Sequence, residues 1–221
     1  MDDARTVIKN GAVVIRGSKI ADTDSFDEIS KKYSSKNIIT GNNKAVMPGL
    51  INTHTHAAMV YFRGIADDLP LKEWLEKYIW PAENKWLSPE FVSDATELAC
   101  LEMLKAGITT YNDMYFFEDA SGKAAKKIGM RAVLGAGIVD FPTIAGKGAD
   151  DYLEKAERFI KHWTKDALIS PCIAPHSVYA CAPETLKRSK DLADKYSVPI
   201  HIHLSEAKWE VVSVKKISTT Q

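Results

Sequence analysis

Two histidines separated by one residue, His54 and His56, follow the apolar run Val46-Met47-Pro48-Gly49-Leu50-Ile51-Asn52. On a strand, side chains at i and i+2 share a face. Both imidazoles would then point the same way where a strand opens onto a site, as half of a tetrahedral or five-coordinate metal centre. The same spacing also suits two hydrogen-bonded histidines near a strand end, and a lone H-x-H arises often by chance. A second group stands in His201-Ile202-His203-Leu204-Ser205-Glu206. Alone, His203 reads better as a core histidine and Glu206 as a solvated loop charge. Together at a strand end they place one imidazole and one carboxylate at the same mouth. A carboxylate near a metal but off it can take a proton from metal-activated water and pass it to a leaving group. His201 shares a face with His203 and is expected deeper, as a buried, hydrogen-bonded core residue. His176, in Ala174-Pro175-His176-Ser177, follows another strand and is a candidate substrate contact. The stretch Trp74-Leu75-Glu76-Lys77-Tyr78-Ile79-Trp80-Pro81-Ala82-Glu83 reads either as a helix packing its apolar face or as a lid over an aromatic substrate. Glu83 there could accept hydrogen bonds from sugar hydroxyls.

These residues need strands to carry them. Residues 6–47 are turn-rich, with short apolar runs at Thr6–Lys9, Val13–Arg16 and Asn37–Ile39. Asn10-Gly11 between two such runs predicts a hairpin. From Val46 the pattern becomes strand, loop, helix. Ser88-Pro89 predicts a capped helix start and Gly107 its stop, with Phe91, Val92, Ala95, Leu98 and Ala99 on one face. Strands follow at Ile108–Asn112, Arg131–Gly135, Leu168–Ile173 and Val198–Leu204. Between them lie helices carrying Ala120, Ala124 and Ile128, then Tyr152, Leu153, Ala156, Phe159, Ile160 and Trp163, and then a helix opened by Pro183. Alternating strands and helices predict a parallel sheet covered by helices. His56, Asp113, His176 and Glu206 all fall at or beyond strand C-terminal ends, where α/β folds build sites. No glycine-rich phosphate loop follows any strand.

The 221 residues are 45% hydrophobic and 26% charged, which excludes a disordered or low-complexity chain. Twenty-nine basic residues balance 29 acidic ones, so neither nucleic acid nor an anionic membrane surface is an expected partner. No apolar run approaches the roughly 18 residues of a membrane span, and no secretory leader is visible. Cys100, Cys172 and Cys181 read as reduced thiols, which fits a cytoplasmic location.

The run from Val46 through His54-Thr55-His56 resembles the signature of the amidohydrolase superfamily. With Trp80-Pro81-Ala82-Glu83, Tyr111-Asn112-Asp113-Met114-Tyr115, Ala174-Pro175-His176-Ser177 and His201–Glu206, the chain resembles the 5-methylthioadenosine/S-adenosylhomocysteine deaminases from about residue 6 to Glu206. The resemblance implies an α/β fold: a partial (β/α)8 TIM-type barrel of about five βα units, preceded by a small N-terminal β-sandwich segment. The implied domains are 1–47, part of the sandwich, and 48–206, the first part of the barrel. Residues 207–221 form an atypical tail that does not read as the next helix. It also implies that His54, His56 and His203 hold one divalent metal, zinc first and Fe2+ or Mn2+ as alternatives. Glu206 would shuttle protons, Glu83 would hold ribose hydroxyls and His176 would touch substrate. The reaction would convert 5-methylthioadenosine and/or S-adenosylhomocysteine to the inosine analogue and ammonia, with the small nucleoside as the partner and a homo-oligomer compatible. Another heterocycle (guanine, cytosine, a triazine) or an inactive fragment are the alternatives. Family members continue with a sixth-strand histidine and an eighth-strand metal-binding aspartate that this chain lacks, so a truncated, poorly active polypeptide is expected. The loop Ile138–Lys147 holds no arginine, which weakens the S-adenosylhomocysteine half of the specificity.

Overall fold

The computed structural model describes residues 4–218 and divides the chain into two compact units, residues 1–49 and 50–221. In the first unit, β1 (Gly11–Arg16) pairs antiparallel with β2 (Lys19–Ser25), and α1 (Phe26–Lys32) follows. The hairpin turn is at Gly17-Ser18 and not at Asn10-Gly11. Arg16 pairs with Lys19, which leaves a two-residue loop, and only its first residue, Gly17, has a positive φ of 62°. That is the conformation a type II′ turn requires of glycine. Asn10 turns the chain into β1, and Thr6–Lys9 forms no strand. Asn37–Ile39 forms none either. Ile38 and Ile39 are both exposed, so no buried face draws the segment into a sheet.

The second unit is built on a parallel sheet. β3 (Leu50–Thr55) leads into a 3-10 turn at Ala57–Phe62. One continuous helical run follows: α2 (Leu71–Trp74), a π-helical turn (Leu75–Ile79) and α3 (Trp80–Trp86). Then come α4 (Pro89–Lys105), β4 (Ile108–Tyr115), α5 (Glu118–Ile128), β5 (Arg131–Ile138), α6 (Ala149–Trp163), β6 (Ile169–Pro175), α7 (Pro183–Tyr196) and α8 (Lys208–Ser218). Strands β3, β4, β5 and β6 lie side by side in that order, all parallel. This is the arc of a (β/α) barrel, with strand C-terminal ends gathered on one rim.

Local chemistry explains the boundaries. Ser88 Oγ accepts from the Phe91 amide, 3.1 Å, and Pro89 opens α4. Gly107 and Gly129 take φ of 81° and 84°, stopping α4 and α5 where the sequence predicts. All six predicted apolar residues of α6 are buried. Phe159 and Trp163 pack with Tyr111, Met130, Ala132, Leu134 and Ile169 between helices and sheet. Tyr152, Leu153, Ala156 and Ile160 pack with Ile138, Val139 and Ile173.

Two expectations change. Val198–Leu204 is not a continuous strand. It is joined to the β6 side by Ile173 N–H to Pro199 O, 2.9 Å, His201 N–H to Ile173 O, 2.8 Å, and His203 N–H to His176 O, 3.0 Å. The parallel bridges are Ile173 with Ile200 and Ser177 with His203, so the register slips by one residue between them and breaks the ladder. The expected irregular tail is helical through Ser218. Its start is secured by Glu210, the third helical residue, whose carboxylate reaches back to the preceding amides in the manner of a capping box.

The β5–β6 contact gives a stability test. A Cβ on Gly135 would lie 2.5 Å from Ala174 Cβ and 2.8 Å from Cys172 Sγ. Gly135→Ala is therefore expected to lower stability by about 1–3 kcal/mol, read as a lower urea midpoint.

Candidate metal centre and substrate cleft

His54, in β3, and His56, just past its end, meet His203 from the 198–204 segment. One ligand atom from each lies within 4.8 Å of the others. His203 Nε2 is 3.1 Å from His56 Nε2 and 3.3 Å from His54 Nε2. The outer nitrogens are held from behind. His56 Nδ1 is 2.7 Å from the Met114 carbonyl, and His203 Nδ1 is 2.8 Å from the His176 carbonyl. A carbonyl only accepts, so each Nδ1 carries the proton and each Nε2 carries a bare lone pair. Two lone pairs 3.1 Å apart repel, and a cation between them converts that repulsion into ligation. The donor set therefore fits a divalent metal, and three imidazoles suit zinc, iron and manganese alike.

At His56 and His54 the electrostatics favour the neutral ring that ligation needs. Burial pushes His56 down to about 4, with repulsion from His203, His54 and His201 adding to it. His54 is also lowered, by burial and then by His203, while the Glu206 charge partly offsets this. His176 Nδ1 is 3.1 Å from Ser177 Oγ, and burial takes its imidazole down to about 3.

The turn bearing His56 is clamped by a residue not singled out as a site residue from the sequence. Asp113 is fully buried in β4, and its Oδ1 accepts from the Ala57 amide, 2.8 Å, and lies 2.6 Å from Thr55 Oγ1. Burial raises its carboxyl to about 6. Its place at a strand C-terminal end was the available signal, but its burial and partners depend on β3 lying beside it.

The imidazoles open onto a cleft of about 490 Å³. One wall is the helical run, with Leu71, Trp74, Leu75, Ile79 and Trp80. The opposite wall is the loop after β5, with Phe141, Pro142 and Ile144. The Trp80 and Phe141 rings lie 5.8 Å apart. The π turn has a local cause. Pro81 has no N–H and its ring crowds the carbonyl of Lys77, and the turn containing Lys77 widens so that Trp80 N–H bonds Leu75 O. The aromatic stretch is thus a helix and a cleft wall at once.

Glu83 is 8% exposed and faces the cleft, accepting from Tyr115 Oη at 2.7 Å. Burial raises its carboxyl to about 7, and the Tyr115 hydrogen bond limits the rise. His176 and Glu206 line the same cleft, with Glu206 exposed at its mouth.

The loop bearing Glu206 is held by Glu210, which the sequence reading passed over. Glu210 is 1% exposed and accepts from the amides of Ser205, 3.1 Å, Glu206, 2.8 Å, and Ala207, 3.5 Å. Ser205 is kept at a φ of 59° within this loop. The signal in the sequence was a glutamate at the third position of a helix, hidden because no helix was expected there.

Residues 45–221 match the Amidohydrolase family, and the chain belongs to that family. It is 61% identical over 213 residues to the 5-methylthioadenosine/S-adenosylhomocysteine deaminase of Thermodesulfovibrio yellowstonii, covering 96% of this chain and 48% of that protein. It is 44% identical over 218 residues to the 5'-deoxyadenosine deaminase of Methanocaldococcus jannaschii, covering 96% and 50%. An adenosine deaminase from Xanthomonas campestris with bound zinc superposes with a TM-score of 0.92 at 38% identity, covering 95% of this chain and 48% of that one. The guanine deaminase of E. coli, at 22% identity and a TM-score of 0.80, shares the fold. The chain spans about half the length of the curated relatives it matches. Among the described residues, no helix is long and apolar enough to cross a membrane.

Removing the Glu210 carboxylate should release the Glu206 loop. A hydrogen bond to a charged group contributes about 1.5–3 kcal/mol. Amide exchange at Ser205–Ala207 is therefore expected to quicken by roughly 10–100-fold in Glu210→Ala and less in Glu210→Gln. Exchange mass spectrometry reads this directly.

Proposed function

We propose that this chain carries the metal-binding and nucleoside-binding part of a hydrolytic deaminase of adenine nucleosides, acting on 5-methylthioadenosine and/or S-adenosylhomocysteine. The observation that carries this reading is one cleft holding three convergent imidazoles, an exposed carboxylate and a buried carboxylate. Its support from relatives is the similarity to 5-methylthioadenosine/S-adenosylhomocysteine and 5'-deoxyadenosine deaminases. His54, His56 and His203 would hold the divalent ion, which we read as zinc. Bound there, the ion supplies the Lewis acidity that makes water nucleophilic near neutral pH. Glu206, at the cleft mouth, takes one proton from the attacking water to the purine ring nitrogen, and then carries the second, from the hydroxyl now on carbon 6, to the departing amine. Water adds at carbon 6, the carbon–nitrogen bond breaks, and ammonia and the inosine analogue leave. His176 contacts the ring, and the apolar walls exclude bulk water around it. Glu83 accepts hydrogen bonds from the ribose hydroxyls, which favours a nucleoside over a bare guanine, cytosine or triazine. In domain terms, 1–47 is part of a sandwich, 48–206 is the first part of the barrel, and the location is cytoplasmic.

With metal supplied, purified protein should release ammonia from 5-methylthioadenosine, and Glu206→Gln should keep its metal while losing at least about 10²-fold in rate. Equal rates in the two proteins would remove Glu206 from the reaction. Glu83 sets the pH dependence of binding. Its folded value is raised to about 7, so the carboxylate that accepts ribose hydroxyls is present above pH 7 and lost as pH falls through it. Nucleoside affinity should drop over that range, whereas a 2′,3′-dideoxy analogue should bind independently of it. Tyr115→Phe removes a hydrogen bond to the carboxylate and should move the drop to higher pH.

A further inference from the structure

We propose that His201 is the positioning residue of the metal centre, accepting the Nδ1 proton of His54 and thereby turning the His54 Nε2 lone pair toward the ion. The inference rests on His54, His56 and His203 being the metal ligands. His201 Nε2 lies 2.8 Å from His54 Nδ1, with the rings nearly perpendicular at 84°. The other two ligands hand their Nδ1 protons to carbonyls, of Met114 and of His176. Those acceptors have no choice of role, so the tautomers of His56 and His203 are imposed by the backbone. His54 alone of the three faces a group that can either donate or accept. If His201 Nε2 carried a proton, it would donate to His54 Nδ1, and the His54 proton would move to Nε2, where the ion must sit. Ligation by His54 Nε2 therefore requires His201 in the tautomer protonated at Nδ1.

Nothing at the other ring nitrogen opposes that tautomer. His201 Nδ1 is buried with no donor in hydrogen-bond reach, so it is not required to be the accepting nitrogen, and the choice is made at Nε2 against His54. The ring is also anchored where it stands, because the His201 amide donates to Ile173 O at 2.8 Å. The contact spans 147 positions in sequence and ties the 198–204 segment to β3. With its Nε2 engaged by His54, His201 is not a fourth ligand.

Outer partners of ligating histidines are worth about 10–100-fold in metal affinity. The test is zinc affinity of the metal-free full chain, measured by competition with a chromophoric chelator. His201→Phe removes the acceptor and should bind zinc about 10–100-fold more weakly. His201→Gln, whose side-chain carbonyl can accept in place of Nε2, should restore most of the loss. Phe and Gln variants that both bind as tightly as the unaltered chain would overturn the proposal. So would equal loss in both. If His201→Phe does not fold, the ring tautomers of the unaltered, zinc-loaded protein decide the matter by long-range proton–nitrogen NMR. A proton on His201 Nδ1 supports the assignment and one on His201 Nε2 overturns it. Failure of the underlying reading looks different: the unaltered chain would bind no zinc, or His203→Ala would bind it as well as the unaltered chain.

Discussion

Three imidazole lone pairs must be brought within one coordination sphere, and they come from opposite ends of a sheet. His54 lies in β3 and His56 just past its end, and His203 comes from the segment beyond β6, about 150 positions later in the chain. Gathering like-signed lone pairs 3.1–3.3 Å apart is unfavourable unless a cation joins them. The scaffold must therefore hold the rings in place against their own repulsion. It does so with hydrogen bonds from behind: two backbone carbonyls and one further imidazole occupy the three Nδ1 atoms.

Those supports explain why the rim of the sheet is so polar beneath the surface. Asp113 is taken out of water to bind the Ala57 amide and stay beside Thr55, which sets the turn carrying His56. The carbonyl of His176 receives both the amide and the ring of His203, so the β6 end fixes one ligand twice. Glu210 binds three consecutive amides and holds the loop that presents Glu206. In each case a buried polar group is tolerated because it is matched by a donor or acceptor on the chain that carries a site residue.

The cleft follows the same economy. Pro81 forces a wider helical turn, and the side chains around that turn, Trp74, Leu75, Ile79 and Trp80, form the apolar wall. Glu83 lies one turn on, buried enough to be raised to about 7 and steered by Tyr115 from β4. An aromatic stretch that could be read as core or lid serves as wall, because one helix face meets the cleft while Ala82 packs in the buried cluster with Phe62.

Periodicity and capping residues alone determined the alternation of helices and strands from Ser88 to Tyr196. These are local effects: Ser88, Pro89, Gly107 and Gly129 act on their own turns, and the six apolar residues of α6 need only a 3.6-residue repeat. The H-x-H spacing likewise put His54 and His56 on one face, and the ordered motifs were enough to mark the family. Only the tertiary structure decided what depends on partners distant in sequence. The hairpin turn moved to Gly17 because strand pairing, not the Asn10-Gly11 dipeptide, sets which residues close the loop. The segment Val198–Leu204 lost its ladder to a register slip against β6, and the tail became a helix once Glu210 found the amides of Ser205–Ala207. The partners of Asp113 and Glu210 and the contact of His201 with His54 share one reason for being illegible: a hydrogen bond depends on distance in space, and the sequence records only distance along the chain.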